Sequence, residues 1–556
     1  MFFRSLVLCF LLSGAARIEG APSPWLSLVT SAWGIAHAHR SGPSLLFNPE
    51  VIGPGVALFD LDGDGLPDIF FPNGAEAGPG GTIAARYPDR IYRNEGGRFT
   101  EVTAGTAILG AGFGCGVLAV DIDNDGYPDL VLTGYKESLL YHNNGDGTFT
   151  EEGRLRGLPP LLFAATTAAA DVDRNGFLDL YVGNYLDFDY KFATKPIAVL
   201  RGGRVLVPSL GSTIYAGVEN LLLGARGDGS FEDGTRIARV GNNEQGASRT
   251  MGVLFADLDR DGWPDLVVAN DQSPMAMYHN RGQGRFDDYT TRSWLSDSRG
   301  NMGIAAGDFD GNGWPDLYIT HFDREHNALY RSLGASGRYQ DVSFPIGLAG
   351  SDWDLVGWGA AWVDLDADGR LDLLVANGHL FPLVLEDNKP LPARIQPMPL
   401  RQTLYRNRGG RDFESLGAGG FAPAVPVTEG RGVAVGDLDH DGSPDVVIAV
   451  NNGPPLVLRN VATPRGAEAT LELVGTESNR DAVGARIEVV TRDVGGRPLF
   501  VTREVHAGNG YLSTDAAEVH LGLGAVTGEV TARIFWPSGR WQDVQVPVGK
   551  RLRVVE

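Results

Sequence analysis

Nine residues, Asp257-Leu258-Asp259-Arg260-Asp261-Gly262-Trp263-Pro264-Asp265, set a spacing that the chain repeats seven times in all. Carboxylates stand at positions 1, 3, 5 and 9, with glycine at position 6. A turn of this kind suits Ca²⁺, because alternate positions supply hard oxygen ligands and glycine makes the sharp reversal at low cost. The other copies begin at Asp60, Asp121, Asp171, Asp308, Asp364 and Asp437. A single copy would be weak evidence, since Asp-rich turns often cap only their own backbone. Seven copies in one repeated context favour the metal reading.

The spacing assigns side-chain ligands loop by loop. They are Asp60, Asp62, Asp64 and Asp68; Asp121, Asp123, Asp125 and Asp129; Asp171, Asp173, Asn175 and Asp179; Asp257, Asp259, Asp261 and Asp265; Asp308, Asp310, Asn312 and Asp316; Asp364, Asp366, Asp368 and Asp372; and Asp437, Asp439, Asp441 and Asp445. At position 7 stand Leu66, Tyr127, Phe177, Trp263, Trp314, Arg370 and Ser443, which share no side-chain chemistry. Such variety suits a backbone carbonyl ligand. Up to seven Ca²⁺ are expected, with weaker binding where Asn175 and Asn312 replace a carboxylate. Mg²⁺, which sheds its water reluctantly, fits less well.

The net charge of −22 belongs largely to these loops, whose ligand positions hold more carboxylates than that excess counts. The acids lie in separate turns rather than in a run, so the balance is that of a metal-free metalloprotein and not of an acidic tail. Nucleic acid, which needs a basic footprint, is excluded as a partner.

Around each loop the chain repeats one grammar. In the first unit an apolar strand, 53–59, enters the Asp60 loop and Ile69-Phe70-Phe71 leaves it; Ile91-Tyr92-Arg93-Asn94 and the stretch 97–102 follow. Four short strands per unit make a propeller blade, so seven loops predict an all-β, seven-bladed β-propeller. The third-strand signature returns as Leu140-Tyr141-His142-Asn143, Met277-Tyr278-His279-Asn280, Leu329-Tyr330-Arg331-Ser332 and Leu404-Tyr405-Arg406-Asn407. Its Tyr and Asn are read as packing and turn residues. The last loop is followed by only part of a blade, and the strand near Trp25 is the piece that completes it, leaving no open edge. Extra residues at about 187–217 and 379–401 are insertions, which on a repeat scaffold often share a binding face.

Residues 1–21 read as a signal peptide: Arg4, a short apolar run and small residues, with cleavage after Ala16, Gly20 or Ala21 all open. The run is too short to span a bilayer, and no later stretch reaches that length. Cys9 lies in this leader, so mature Cys115 has no disulfide partner and is read as a small buried residue. The propeller is assigned to 22–460 and a linker to 461–470. From 471 to 556 strands alternate without acidic loops, which predicts a small C-terminal β domain.

The loop-centred blades resemble FG-GAP/VCBS repeats, also found in integrin α-chain propellers. The last domain resembles the ASPIC/UnbV module through residues 479–485, Gly508-Asn509-Gly510-Tyr511-Leu512-Ser513, 520–524 and Trp536-Pro537-Ser538-Gly539. The combination is similar to the cartilage acidic protein family, including its exported bacterial members. That resemblance implies an extracellular or surface interaction role on a Ca²⁺-stabilised scaffold, and no established chemistry for the terminal module.

Catalytic signatures such as HExxH, GxSxG and the P-loop do not occur. His37 and His39 share strand spacing and are read as a polar strand end before a metal pair. His379 borders an insertion and is a candidate functional residue, whereas His520 and Trp536 are read as structural. The leading expectation is a non-catalytic, Ca²⁺-binding adhesion or interaction protein, secreted, cell-surface or periplasmic, whose partner is a protein or glycan at the surface or matrix. The alternative is a carbohydrate-active hydrolase or lyase, or a glycan-binding protein, with its site on the insertion face.

Overall fold

The computed structural model describes residues 23–42, 48–78, 82–110, 112–188, 199–201, 204–206, 212–242, 248–379, 383–384, 395–396, 400–493, 495–508 and 510–556. The leader at 1–21 lies outside them, as do most residues of the two insertions. Seven blades form the ring, as the loop count predicts: six are four-stranded and antiparallel, and in the seventh a fifth strand, Phe421–Ala422, pairs parallel with Leu26–Leu28. In blade 2, for example, Phe113–Val120, Asp129–Tyr135, Glu137–Asn143 and Phe149–Glu151 lie side by side in that order. The first strands of successive blades pack beside one another around the axis.

Ring closure follows the expected route. Leu26–Leu28 pairs antiparallel with Leu456–Asn460, so the N-terminal strand completes blade 7. Apolar faces then lock each blade to the next. Phe70 and Ile91 of blade 1, both fully buried, pack against Leu130, Leu132 and Tyr141 of blade 2. Burying side chains of this size contributes roughly 1.5–3 kcal/mol each.

The terminal sheet has seven strands in two groups around Arg486–Arg492, including Arg551–Val555, which the sequence pattern does not reveal. After the strand Pro498–Glu504 the chain leaves this sheet, and residues 505–508 and 510–516 run into the axis of the propeller. Ala507 bonds to Ala169 of blade 3, Gly510 to Ile304 of blade 5, and Thr514 to Val56 and Leu58 of blade 1. Leu512 accepts from Val117 of blade 2, and the Asp515 carboxylate accepts from Val435 of blade 7 at 2.8 Å. His506 Nδ1 lies 3.1 Å from the Phe255 carbonyl of blade 4. For blade 6 the contact is aromatic: the Tyr511 and Trp358 rings meet edge to face at 5.1 Å. Gly510, at φ +67°, would place a Cβ 2.9 Å from the Ala360 carbonyl, so the close approach requires glycine.

A short buried helix, Asn48–Ile52, closes the axis from the other end, and the Tyr511 hydroxyl donates to the Ile52 carbonyl at 3.3 Å. Arg431, wholly buried, donates to the Val51 and Ile52 carbonyls and stacks on Trp358 at 4.2 Å. The axis is therefore packed, with Cys115, buried and in no disulfide, in the same cluster.

Acidic turns join first to second strands, whereas both insertions join second to third strands, so the two features leave the ring at opposite ends. Pieces of the insertions pair with each other: Arg204–Leu206 from blade 3 pairs with Leu383–Val384 from blade 6. The insertions thus meet in one sheet, on the end away from the terminal domain.

Candidate metal centres

In all seven loops the backbone is fixed the same way. The position-6 glycines, such as Gly126 (φ +97°) and Gly262 (φ +87°), are left-handed, and each donates its N–H to the position-1 carboxylate at 2.7–3.1 Å. One oxygen of the position-5 residue, Asn175 and Asn312 included, accepts the N–H of position 7 at 2.8–3.0 Å. Position 4 is left-handed too, although Asn124, Arg174, Arg260, Ala367 and His440 stand there beside Gly63 and Gly311. Ordinary residues are strained in that conformation, and no single residue type marks the position in the sequence.

The position-9 carboxylates Asp68, Asp129, Asp179, Asp265, Asp316, Asp372 and Asp445 are almost fully buried. Each accepts a third-strand N–H at 2.6–2.8 Å, tying the loop to its own blade. The third-strand Asn reaches further. Asn143 donates to the Leu61 carbonyl, Asn280 to Val172, Asn407 to Phe309, Asn460 to Leu365 and Asn94 to Leu438, each in a neighbouring blade's loop. Neighbouring loops also clasp through side chains, as Arg174 stacks on Trp263 at 3.8 Å.

Carboxylates gather as the spacing requires. Asp60, Asp62 and Asp68 each bring an oxygen to within 4.8 Å of the others; so do Asp121, Asp123 and Asp125, and Asp171, Asp173 and Asp179. His142 joins Asp123 and Asp129 in one such group, and His279 joins Asp259 and Asp261 in another. Burial pushes Asp68, Asp257 and Asp265 up to about 7, and Asp121 and Asp179 up to about 8, with facing carboxylates adding to the shift. Among these buried acids, Oδ1 of Asp257 and Oδ2 of Asp265 have no hydrogen-bond partner. Buried oxygens left unpaired in a crowd of like charges are costly. A hard divalent cation resolves both problems, so the donor set fits Ca²⁺.

The third-strand residue between Tyr and Asn also touches the loops, and sequence reasoning passed over it. Its partner is the position-3 carboxylate. Arg331 Nε lies 2.7 Å from Asp310, Arg406 Nη2 2.9 Å from Asp366, and Arg459 Nε 2.5 Å from Asp439. His142 and His279 stand 3.5 and 3.4 Å from Asp123 and Asp259, and Arg93 3.8 Å from Asp62. Only the strand register, which sets this residue beside the loop, gives the signal.

Terminal-domain groups meet position 1 of several loops. Asp481, Glu504 and Glu518 accept the backbone N–H of Asp121, Asp257 and Asp437 at 2.7, 2.9 and 2.6 Å. Arg486 and Arg551 pair with Asp257 and Asp437 at 3.0 and 3.2 Å. The acidic-turn end of the ring is therefore the docking face of the terminal domain. A cavity of about 150 Å³ remains there, lined by Asp308, Asp364, Arg503, His506 and Glu518 among others.

The scattered histidines are placed as follows. His37 stacks on Phe71 at 4.7 Å, and burial pushes it down to about 3; His39 is buried and accepts the Asn452 N–H. Neither lies in a strand. His379 is buried, with Nε2 3.9 Å from Asp323. His520 pairs with Glu518 at 3.0 Å, and Trp536 is buried in the terminal core.

The family model for an FG-GAP-like repeat matches residues 60–132, 121–182, 257–319 and 309–375, and that for ASPIC and UnbV matches 475–556. Cartilage acidic protein 1 of Xenopus tropicalis is 27% identical over 339 residues, 58% of this chain and 48% of that protein. Its Homo sapiens counterpart is 27% identical over 347 residues, 58% of this chain and 47% of that protein. Integrin alpha-6 of Homo sapiens is 29% identical over 173 residues, 28% of this chain and 14% of that protein. The matched region spans about half the length of the cartilage acidic proteins. Among the described residues no helix is long and apolar enough to cross a membrane.

Proposed function

Because the chain joins FG-GAP-like repeats to an ASPIC and UnbV domain and is similar to cartilage acidic protein 1, we propose that it is an exported, Ca²⁺-binding propeller that acts as a non-catalytic interaction module. Bound Ca²⁺ neutralises the crowded loop acids and holds their oxygens together. The residues that would hold it are those at positions 1, 3, 5 and 9, with the position-7 carbonyl beside them. The observation that carries this reading is the pair of orphaned, buried oxygens on Asp257 and Asp265 within one loop.

The non-catalytic part rests on the axis. Tyr511, Trp358 and the helix Asn48–Ile52 fill it, so partner recognition falls to outer surfaces. The insertion end is the exposed end, since the terminal domain covers the other. A protein or glycan at the cell surface or matrix is the proposed partner, with the protein secreted, surface-bound or periplasmic. The test is a pull-down of surface and matrix components in Ca²⁺, repeated with chelator. Capture that is lost on chelation supports the reading, and capture indifferent to chelator counts against it.

A glycan-binding reading is favoured by one surface feature at the insertion end. Trp353 and Phe344 are 45% and 67% exposed and flank His326 at 4.7 and 4.8 Å, an aromatic platform on which a sugar ring can stack. Glycan-array binding lost in Trp353→Ala, without product formation, separates this from both a protein partner and an enzyme.

A further inference from the structure

At the insertion end, two short helices stand on either side of a groove between blades 3 and 4. Thr235–Ala238 follows the last strand of blade 3, and Thr290–Ser293 follows that of blade 4. Both are pinned alike: the Thr235 and Thr290 N–H groups donate to Asp233 and Asp288 at 3.0 and 2.9 Å, and their hydroxyls accept the N–H of Leu222 and Met277. The described residues line a cavity of about 800 Å³ here, within the size range of ligand pockets. Two lining residues tie the blades together, since Asn242 Nδ2 donates to Asn270 Oδ1 at 3.0 Å and Asn270 Nδ2 to the Pro274 carbonyl at 2.7 Å. The groove is therefore built before any ligand arrives.

Its unspent side chains set the ligand class. Arg236 and Arg239 from blade 3, Thr291 and Ser296 from blade 4, and Glu219 line the groove, and none makes a side-chain hydrogen bond or ion pair among the described residues. Asp287, also in the lining, is held by Arg281 at 2.6 Å. Two guanidiniums are thus left beside two carboxylates, Glu219 and Asp288, a balanced set in a chain of net charge −22. Such a set favours neither sign: an anion meets Glu219 and Asp288, and an ammonium meets Arg236 and Arg239. A hydroxyl accepts from a guanidinium and donates to a carboxylate, so a neutral polyhydroxylated ligand uses both kinds of group. An apolar ligand would strip them of water and leave them unpaired.

We propose that this groove is a binding site for neutral oligosaccharides. The proposal rests on the glycan reading above, names the ligand class, and places the site on blades 3 and 4, apart from Trp353 on the connection between blades 5 and 6. The experiment screens the full chain in Ca²⁺ on an array of neutral, uronate- or sulfate-bearing and amino-sugar glycans, then measures the hits by calorimetry. Neutral glycans are expected to bind at least tenfold more tightly than charged ones of the same length. The double variant Arg236→Ala, Arg239→Asn should raise their Kd about tenfold or more, the worth of a hydrogen bond to a charged group; asparagine suits the left-handed backbone at 239, φ +62°. Ser296→Trp, at an exposed position on the other side, should fill the groove and block binding, while Trp353→Ala leaves it unchanged. Melting curves confirm that each variant is folded. Preference for a charged glycan overturns the proposed class, and binding lost in Trp353→Ala but not in the groove variants overturns the site while leaving the glycan reading intact. No binding to any glycan overturns both.

Discussion

The acidic turns and the axial residues 505–508 and 510–516 grip the same first strands, the turns at their ends and the axial segment along their length. They do so by opposite physics. The turns occur seven times and gather mutually repelling carboxylates, so on the proposed reading their contribution to stability is conditional on a cation. The axial segment occurs once, is largely buried, and bonds or stacks against every blade, so its contribution is independent of metal. The proposed Ca²⁺ sites would give the ring one fastening set by the medium beside one that is permanent.

The largest expected effect comes from removing the conditional fastening whole. Each loop loaded at ten times its Kd contributes about 1.4 kcal/mol, so chelation of several sites outweighs most single substitutions. The pH dependence has a definite sign. Asp68, Asp257 and Asp265 are raised to about 7, and Asp121 and Asp179 to about 8, well above their unfolded values near 4. The metal-free folded state therefore binds protons more tightly than the unfolded chain, and it loses stability as pH rises from about 4 through 8. Calcium bound as proposed would remove that loss. The gap in melting temperature with and without chelator should widen from pH 5 to pH 8, and a constant gap would show that these acids do not face the ion.

Tyr511→Ala tests the permanent fastening. It opens a cavity against Trp358 and removes the bond to Ile52, which should cost about 3–5 kcal/mol in denaturant unfolding, equally in Ca²⁺ and in chelator. A cost confined to one condition would mean that axis and turns are coupled.

How far each fastening was legible in the sequence follows from the same contrast. Repetition exposed the turns: glycine at position 6 and alternating Asp recur seven times, and counting them yielded the blade number and the need for a closing strand at Leu26–Leu28. The left-handed position 4 stayed hidden because Asn, Arg, Ala, His and Gly all occupy it. The axial segment was visible only as a motif, Gly508 to Ser513, since its partners lie hundreds of residues away, such as Val56 and Val117, and no periodicity links them. The arginines on the position-3 carboxylates needed strand register, which pattern alone does not give.

Asp259→Ala sharpens the comparison at a single loop. In Ca²⁺ it should cost about 1.4 kcal/mol, the worth of one site at ten times Kd. In chelator the substitution removes one of several repelling charges, Asp261 among the neighbours that raise it, and should be neutral or stabilising. Gly262→Val behaves differently: at φ +87° the residue is strained whatever the metal, and destabilisation in both media is expected.

Thr514→Val gives the smallest effect and separates packing from polar bonding within the axis. The Thr514 hydroxyl donates to the Val117 carbonyl at 3.1 Å and accepts from the Ala119 N–H at 3.3 Å, a side-chain link to blade 2 beside the backbone bond from Val117 to Leu512. Valine keeps the shape and deletes both bonds, while the backbone bonds from residue 514 to Val56 and Leu58 persist. Net hydrogen-bond contributions near 1 kcal/mol predict a loss of about that size, again unchanged by chelator. A loss approaching that of Tyr511→Ala would mean that polar register, and not the aromatic contact with Trp358, is what seats the segment in the axis.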